Sequence, residues 1–128
     1  MNVLFVCIGN SGRSVLAEQL FRRAAGNRHA ARSAGAAPHR ETAEPVVVEA
    51  LREVGLDASG HRARRLEQSD VEWADVVIAA CDGACPVVAG KRYENWALPD
   101  PYGLPIEHVR PIRDEIARRI DGLIVELT

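Results

Sequence analysis

The feature that most constrains this chain lies at its N-terminus. The apolar run Val3-Leu4-Phe5-Val6 passes straight into Cys7-Ile8-Gly9-Asn10-Ser11-Gly12-Arg13-Ser14, and then into Val15-Leu16-Ala17-Glu18-Gln19-Leu20-Phe21 with apolar residues at helical spacing. β-Branched and aromatic residues favour a strand, the glycines favour a turn, and the later periodicity favours a helix. A strand that feeds a helix through such a turn leaves several main-chain N–H groups aimed at one point, where the helix dipole adds positive charge. That point attracts anions.

Cys7 closes the strand and Arg13 opens the helix, so a folded-back loop brings sulfur and guanidinium to one oxyanion. Arg13 can donate two parallel hydrogen bonds to it. The same surroundings favour a thiolate, which makes Cys7 the candidate nucleophile. Ile8, Gly9, Asn10, Ser11 and Gly12 form the candidate oxyanion cradle with Arg13. Ser14 is placed either to donate its hydroxyl to the sulfur or to cap the helix, and Asn10, tolerant of left-handed backbone, to hold the loop's shape. A lone cysteine at the end of a buried strand is more often packing than chemistry. The arginine partner and the strand–turn–helix setting reverse that preference.

Downstream, Gly26 and Asn27 stop the first helix, and Ala30 to Gly35 reads as a short second strand. Glu44-Pro45 opens a second helix that runs through Val54 to Gly55. Leu66 to Ala74 reads as a short third helix, and Asp75 to Ala80 as a continuous apolar strand of the kind buried on both faces of a parallel sheet. Cys81 to Gly90 is a loop, Asn95-Trp96-Ala97-Leu98 a fourth strand, Pro99 to Gly103 a turn, and Pro105 to Leu127 a long amphipathic helix. This alternation predicts an α/β, three-layer doubly wound fold with a four-stranded parallel sheet. At 128 residues, with no repeat or linker, the whole chain 1–128 is expected to be one domain.

Sixteen basic and 18 acidic residues nearly balance, with the arginines dispersed, so no nucleic-acid or membrane partner is expected. No apolar run approaches the roughly 20 residues of a bilayer span. The three cysteines are an odd number, which suits a reducing compartment better than a disulfide framework, and a soluble, cytoplasmic, monomeric protein is expected. Cys81 and Cys85 lack a matching cysteine pair or nearby histidines, which makes a poor zinc site, so neither metal nor cofactor is expected. His29, His39, His61 and His108 have no motif partner and are assigned no role.

The segment Cys7 to Ser14, a cysteine, five residues, then arginine and serine near an N-terminus, resembles the phosphate-binding loop of low-molecular-weight protein tyrosine phosphatases and of the arsenate reductases built on that fold. The resemblance implies that Asp100, before Pro101, acts as general acid on the leaving oxygen, as a poor leaving group requires. Val77 to Pro86 is similar to the redox stretch of thioredoxin-coupled arsenate reductases, Asn95 to Pro101 resembles their tryptophan-to-Asp-Pro stretch, and Ser33-Ala34-Gly35 and Arg113-Asp114-Glu115-Ile116 are also in register with them. Carried over, it implies that Cys7 attacks arsenate, Cys81 attacks the Cys7 adduct to release arsenite, and Cys85 then attacks Cys81. The Cys81–Cys85 disulfide would go to thioredoxin, or to a glutaredoxin-like partner and a low-molecular-weight thiol.

On a regular helix such a pair holds its β-carbons roughly 5–6 Å apart, against roughly 3.8 Å in a disulfide, so the segment must be looped or must unwind, which Gly83 permits. The chain departs from the pattern in three ways. Gly12 stands where both families usually have another cysteine, the Cys81–Cys85 interval is short, and Arg62 and Arg64 fall where some members bind potassium through oxygen ligands. A phosphatase hydrolysing phosphomonoesters through a Cys7 phosphoenzyme is the alternative, with Asp100-Pro101-Tyr102 matching it. An oxyanion-binding module without turnover is a third reading, disfavoured by the intact nucleophile, arginine and acid.

Overall fold

The computed structural model describes residues 1–80 and 90–128. Its core is a four-stranded, all-parallel sheet in the order β2-β1-β3-β4, formed by β1 (Asn2–Cys7), β2 (Ala30–Gly35), β3 (Val76–Ala79) and β4 (Arg92–Asn95). The helices are α1 (Arg13–Ala25), α2 (Pro45–Arg52), α3 (Gln68–Trp73) and α4 (Ile106–Leu127). This is the expected α/β architecture.

Successive side chains of a strand point to opposite faces, and the central strands are apolar on both. Val3 and Phe5 of β1, with Val76 and Ile78 of β3, join the large core beneath α1, α2 and α4. Leu4, Val6 and Val77 pack with Ala34 and Ala74 on the other face, against Leu66 and Trp73. Phe5 meets Phe21 edge-on at 5.5 Å between ring centroids, and Trp96 at 6.2 Å. Burial of such rings is what fixes α1 and the end of β4 to the sheet.

The fourth strand lies earlier than the sequence suggests. Arg92–Asn95, not Asn95–Leu98, pairs with β3, in the register Val76↔Arg92 to Ala79↔Asn95. An edge strand tolerates polar residues because one side faces water. Trp96 donates its N–H to the Ala79 carbonyl at 2.7 Å, and then Trp96 and Leu98 drop into the core, where both are buried. Their apolar character reflects core filling rather than pairing. Pro111 is accommodated inside α4, where it costs one helical hydrogen bond.

Candidate functional site

Strand order reverses direction between β1 and β3, and in open α/β sheets the crevice beyond the carboxyl ends of the strands at such a point is where ligands bind. Cys7 is the last residue of β1. Ala80, just past β3, donates its N–H to the Val6 carbonyl at 2.8 Å. The loop from Cys7 therefore opens above the middle of the sheet.

Residues 8–12 turn back on themselves because Asn10 takes φ 52°, a left-handed conformation that asparagine tolerates. Gly35 supports the turn from β2: a β-carbon there would stand 2.7 Å from the Ile8 carbonyl oxygen and 2.9 Å from the Asn10 nitrogen, so only glycine lets the strand approach so closely. Gly12 has a similar role beneath the later turn, since a β-carbon on it would stand 2.9 Å from Pro101 Cγ.

Cys7 is buried, and its Sγ lies 2.9 Å from Ser14 Oγ and 3.2 Å from the Asn10 N–H, which donates to it. Asn10 Nδ2 donates to Ser14 Oγ at 2.9 Å. Ser14 Oγ is thus an acceptor toward Asn10, which leaves its own proton for the sulfur. The N-cap of α1 is Gly12 without any side-chain capping bond, so of its two expected roles Ser14 takes the one at Cys7. Arg13 is buried, donates through Nη1 to the Leu98 carbonyl at 3.0 Å, and holds Nη2 3.9 Å from Asp100 Oδ2. Asp100 Oδ1 accepts from the Tyr102 N–H at 3.0 Å.

A cavity of about 240 Å³ is lined by Cys7, Ile8, Gly9, Ser11, Gly12 and Arg13 from the loop, with His39, Glu44, Asp100 and Tyr102 around it. Residues 2–128 match the family described as low molecular weight phosphotyrosine protein phosphatase. The chain belongs to that family. Within it, the chain is 32% identical over 124 residues to arsenate reductase 2 of Staphylococcus epidermidis, covering 94% of this chain and 93% of that protein. A solved arsenate reductase in the phosphate binding state matches with TM-score 0.87 and 31% identity, over 99% of this chain and 98% of that one. The low molecular weight protein tyrosine phosphatase of T. tengcongensis matches with TM-score 0.85 and 35% identity, over 98% and 99%. A reductase and a phosphatase of the family thus match this fold about equally well.

The cavity gathers most, not all, of the residues singled out from the sequence. Cys7, Arg13 and Asp100 border it, whereas Asn10 and Ser14 lie behind the sulfur, fully buried. The Asn10 side chain braces the loop from behind, while its main-chain N–H faces the sulfur. Cys81 and Cys85 lie outside the described residues.

Two histidines without an assigned role also belong here. His61 Nε2 lies 2.7 Å from the Asn10 carbonyl oxygen, and because a carbonyl can only accept, Nε2 carries a proton. His39 packs on Gly9, with its ring 6.4 Å from that of Tyr102, at the cavity's rim. Only tertiary folding makes these neighbours, since 51 residues separate His61 from Asn10. Glu44 is a further wall residue: its N–H donates to the Ser11 carbonyl at 2.9 Å and its carboxylate pairs with Arg40 at 2.9 Å, tying the start of α2 to the loop.

The region behind the loop does not suit potassium. Arg64 donates from its main-chain N–H to Asn10 Oδ1 at 2.9 Å, from Nη1 to the Ser33 carbonyl at 2.8 Å and from Nη2 to Asp70 Oδ1 at 2.7 Å. An alkali cation at these oxygens would stand beside a guanidinium already bonded to two of them, the Ser33 carbonyl and Asp70 Oδ1, and like charges in contact repel.

Proposed function

We propose that this chain is an arsenate reductase. The reading rests on the convergence of the Ser14 hydroxyl and the Asn10 N–H on Cys7 Sγ, in a cavity that also holds Arg13 and Asp100, and the likeness to the Staphylococcus epidermidis arsenate reductase over 94% of the chain favours reduction. Donors to sulfur stabilise a thiolate, and the N–H groups at the start of α1 with Arg13 supply an oxyanion cradle whose charge is set before the substrate arrives.

In this reading Cys7 attacks arsenic while Asp100 protonates the departing oxygen, which leaves as water. Cys81 then attacks Cys7 Sγ. The arsenic–sulfur bond breaks, its electron pair stays on arsenic to give arsenite, and a Cys7–Cys81 disulfide forms. Cys85 attacks Cys81, frees Cys7 as thiolate and leaves a Cys81–Cys85 disulfide. A thioredoxin-like or glutaredoxin-like dithiol, or a small thiol, returns that disulfide to two thiols. Support for the middle step is covalent: Cys81 is bonded to Ala80, whose N–H is held by the Val6 carbonyl next to Cys7. The protein works as a cytoplasmic, single-domain monomer.

A phosphatase reading keeps Cys7, Arg13, Ser14 and Asp100 in the same places. It draws on the T. tengcongensis phosphatase match and on Tyr102, 65% exposed at the rim where an aromatic substrate ring would lie. One comparison separates the two. Arsenate-dependent NADPH oxidation with thioredoxin and thioredoxin reductase is measured beside aryl phosphate hydrolysis, in the parent and in Cys85→Ser. The reductase reading expects loss of only the first activity in the variant, with Cys81 joined to Cys85 in the parent after one turnover by mass mapping. Unchanged arsenate turnover in Cys85→Ser refutes the relay.

A further inference from the structure

Behind the anion loop, away from the cavity, a second hollow of about 600 Å³ is walled by Arg22, Arg32, Arg64, Glu18, Asp57 and Asp70. Its oxygens near the loop are already engaged. Besides the three acceptors of Arg64, Glu18 Oε1 accepts from Ser33 Oγ at 2.7 Å and Glu18 Oε2 pairs with Arg22 at 2.8 Å. Asp70 is fully buried and also faces Arg32 Nη1 at 3.6 Å and the Glu67 N–H at 3.1 Å. A buried carboxylate needs such partners to remain charged.

Arg64 is held at its main-chain N–H and carbonyl and at both Nη atoms. Its carbonyl accepts from the Gly35 N–H at 2.8 Å, while its side chain spans Ser33 and Asp70. The main-chain N–H between these anchors is therefore fixed on Asn10 Oδ1. From there every donor points toward the nucleophile: Arg64 N–H to Asn10 Oδ1, Asn10 Nδ2 to Ser14 Oγ, and the Ser14 hydroxyl to Cys7 Sγ. Bonds aligned in one direction polarise one another.

We infer that Arg64 is a positioning residue for the Cys7 thiolate, and that its guanidinium stands where an alkali cation would otherwise organise the loop, which makes the protein's thiol reactivity and stability independent of potassium. The inference concerns the thiol before any substrate binds and applies to reductase and phosphatase alike. Without the Arg64 side chain, Asp70 and the Ser33 carbonyl lose a donor and the 61–65 segment loosens. Asn10 is then free to turn its amide away from Ser14.

The test follows alkylation of Cys7 by iodoacetamide across pH in the full-length protein. Peptide mass mapping separates Cys7 from Cys81 and Cys85, and each rate and thermal midpoint is measured in potassium chloride and in tetramethylammonium chloride. The parent is expected to give equal rates and equal midpoints in the two salts. In Arg64→Ala the rate at about pH 7 falls roughly tenfold, the effect of one hydrogen bond to a charged acceptor, while the rate at about pH 10, where an ordinary thiol is ionised, is retained. Arg64→Lys, which keeps a cation at Asp70, recovers part of the loss. Should Arg64→Ala fail to fold, Arg64→Gln is read in the same way. A parent that reacts faster or melts higher in potassium, or a variant with the parent's pH profile, overturns the inference.

Discussion

Arg13 Nη1 donates to the carbonyl oxygen of Leu98 at 3.0 Å across 85 residues of sequence. The guanidinium that faces the cavity is therefore also the strut that carries the approach to Asp100, and a change at Arg13 affects the cavity wall and the placing of Asp100 together.

Arg13→Lys tests this double duty. A lysine keeps the charge but replaces a planar fork with a point donor, so it cannot serve the oxyanion and Leu98 at once. Loss of one preorganised donor to a developing oxyanion costs on the order of 100-fold in kcat. Steady-state arsenate reduction, or aryl phosphate hydrolysis for the alternative, should show at least that fall, and a variant that retains the parent's kcat would contradict the arrangement.

Ser14→Ala removes the hydroxyl 2.9 Å from Cys7 Sγ and leaves Asn10 Nδ2 without its acceptor. Hydrogen bonds to charged groups contribute about 1.5–3 kcal/mol, so Cys7 alkylation near neutral pH should slow roughly ten- to a hundredfold. Stopped-flow or mass-spectrometric alkylation rates measure this directly. A rate unchanged from the parent means that Ser14 only packs.

Gly35→Ala places a methyl group against the Ile8 carbonyl and the Asn10 nitrogen, which are main-chain atoms unable to swing aside. Overpacking of this kind costs about 1–3 kcal/mol, and urea unfolding should show a lowered midpoint. Because the displaced atoms belong to the loop, turnover should fall further than the loss of stability explains. Parent-like stability would mean that β2 has slack at this end.

Glu53 ties α2 to α4 through Arg110 and Arg113, with Arg113 Nη1 2.8 Å from Glu53 Oε1 and 2.9 Å from the Ala50 carbonyl. The hydrogen bond from Arg110, then that from Arg113, hold the Glu53 carboxyl at about 2, below its ordinary 4.5. A depressed carboxyl contributes stability above its unfolded value and loses it as pH falls through the folded one. Stability should therefore decline as pH is lowered from about 4.5 toward about 2, and Glu53→Gln should flatten the curve in that window. Added salt should reduce the difference, since the pair is exposed. Identical thermal midpoints against pH for parent and variant would remove Glu53 from the account.

How much of this was legible in the sequence depended on the range of the interaction. The strand–turn–helix at Cys7 to Ser14 is local, so apolar periodicity and turn residues were enough to place it. The paired α/β alternation was equally plain, because parallel strands buried on both faces carry unbroken apolar runs such as Val76–Ala79. β4 misled for the opposite reason: its residues are polar because the strand is an edge, while the apolar Trp96 and Leu98 serve the core beyond it. The contacts of His61 and Arg64 with Asn10 could not be read from the sequence, for each reaches Asn10 only after the chain has folded over more than fifty positions. No periodicity encodes such a meeting.

The bare backbone of Gly12, pressed beneath Pro101, has a redox consequence. Peroxide meeting Cys7 would first yield a sulfenic acid, and condensation with a second thiol, which forms a disulfide and releases water, spares that sulfur further oxidation. The other two thiols of the chain lie outside the loop, at positions 81 and 85. Under the proposed relay, protection of the nucleophile from irreversible damage would fall to the same two thiols, and losing either of them would expose Cys7 to inactivation as well as stall turnover.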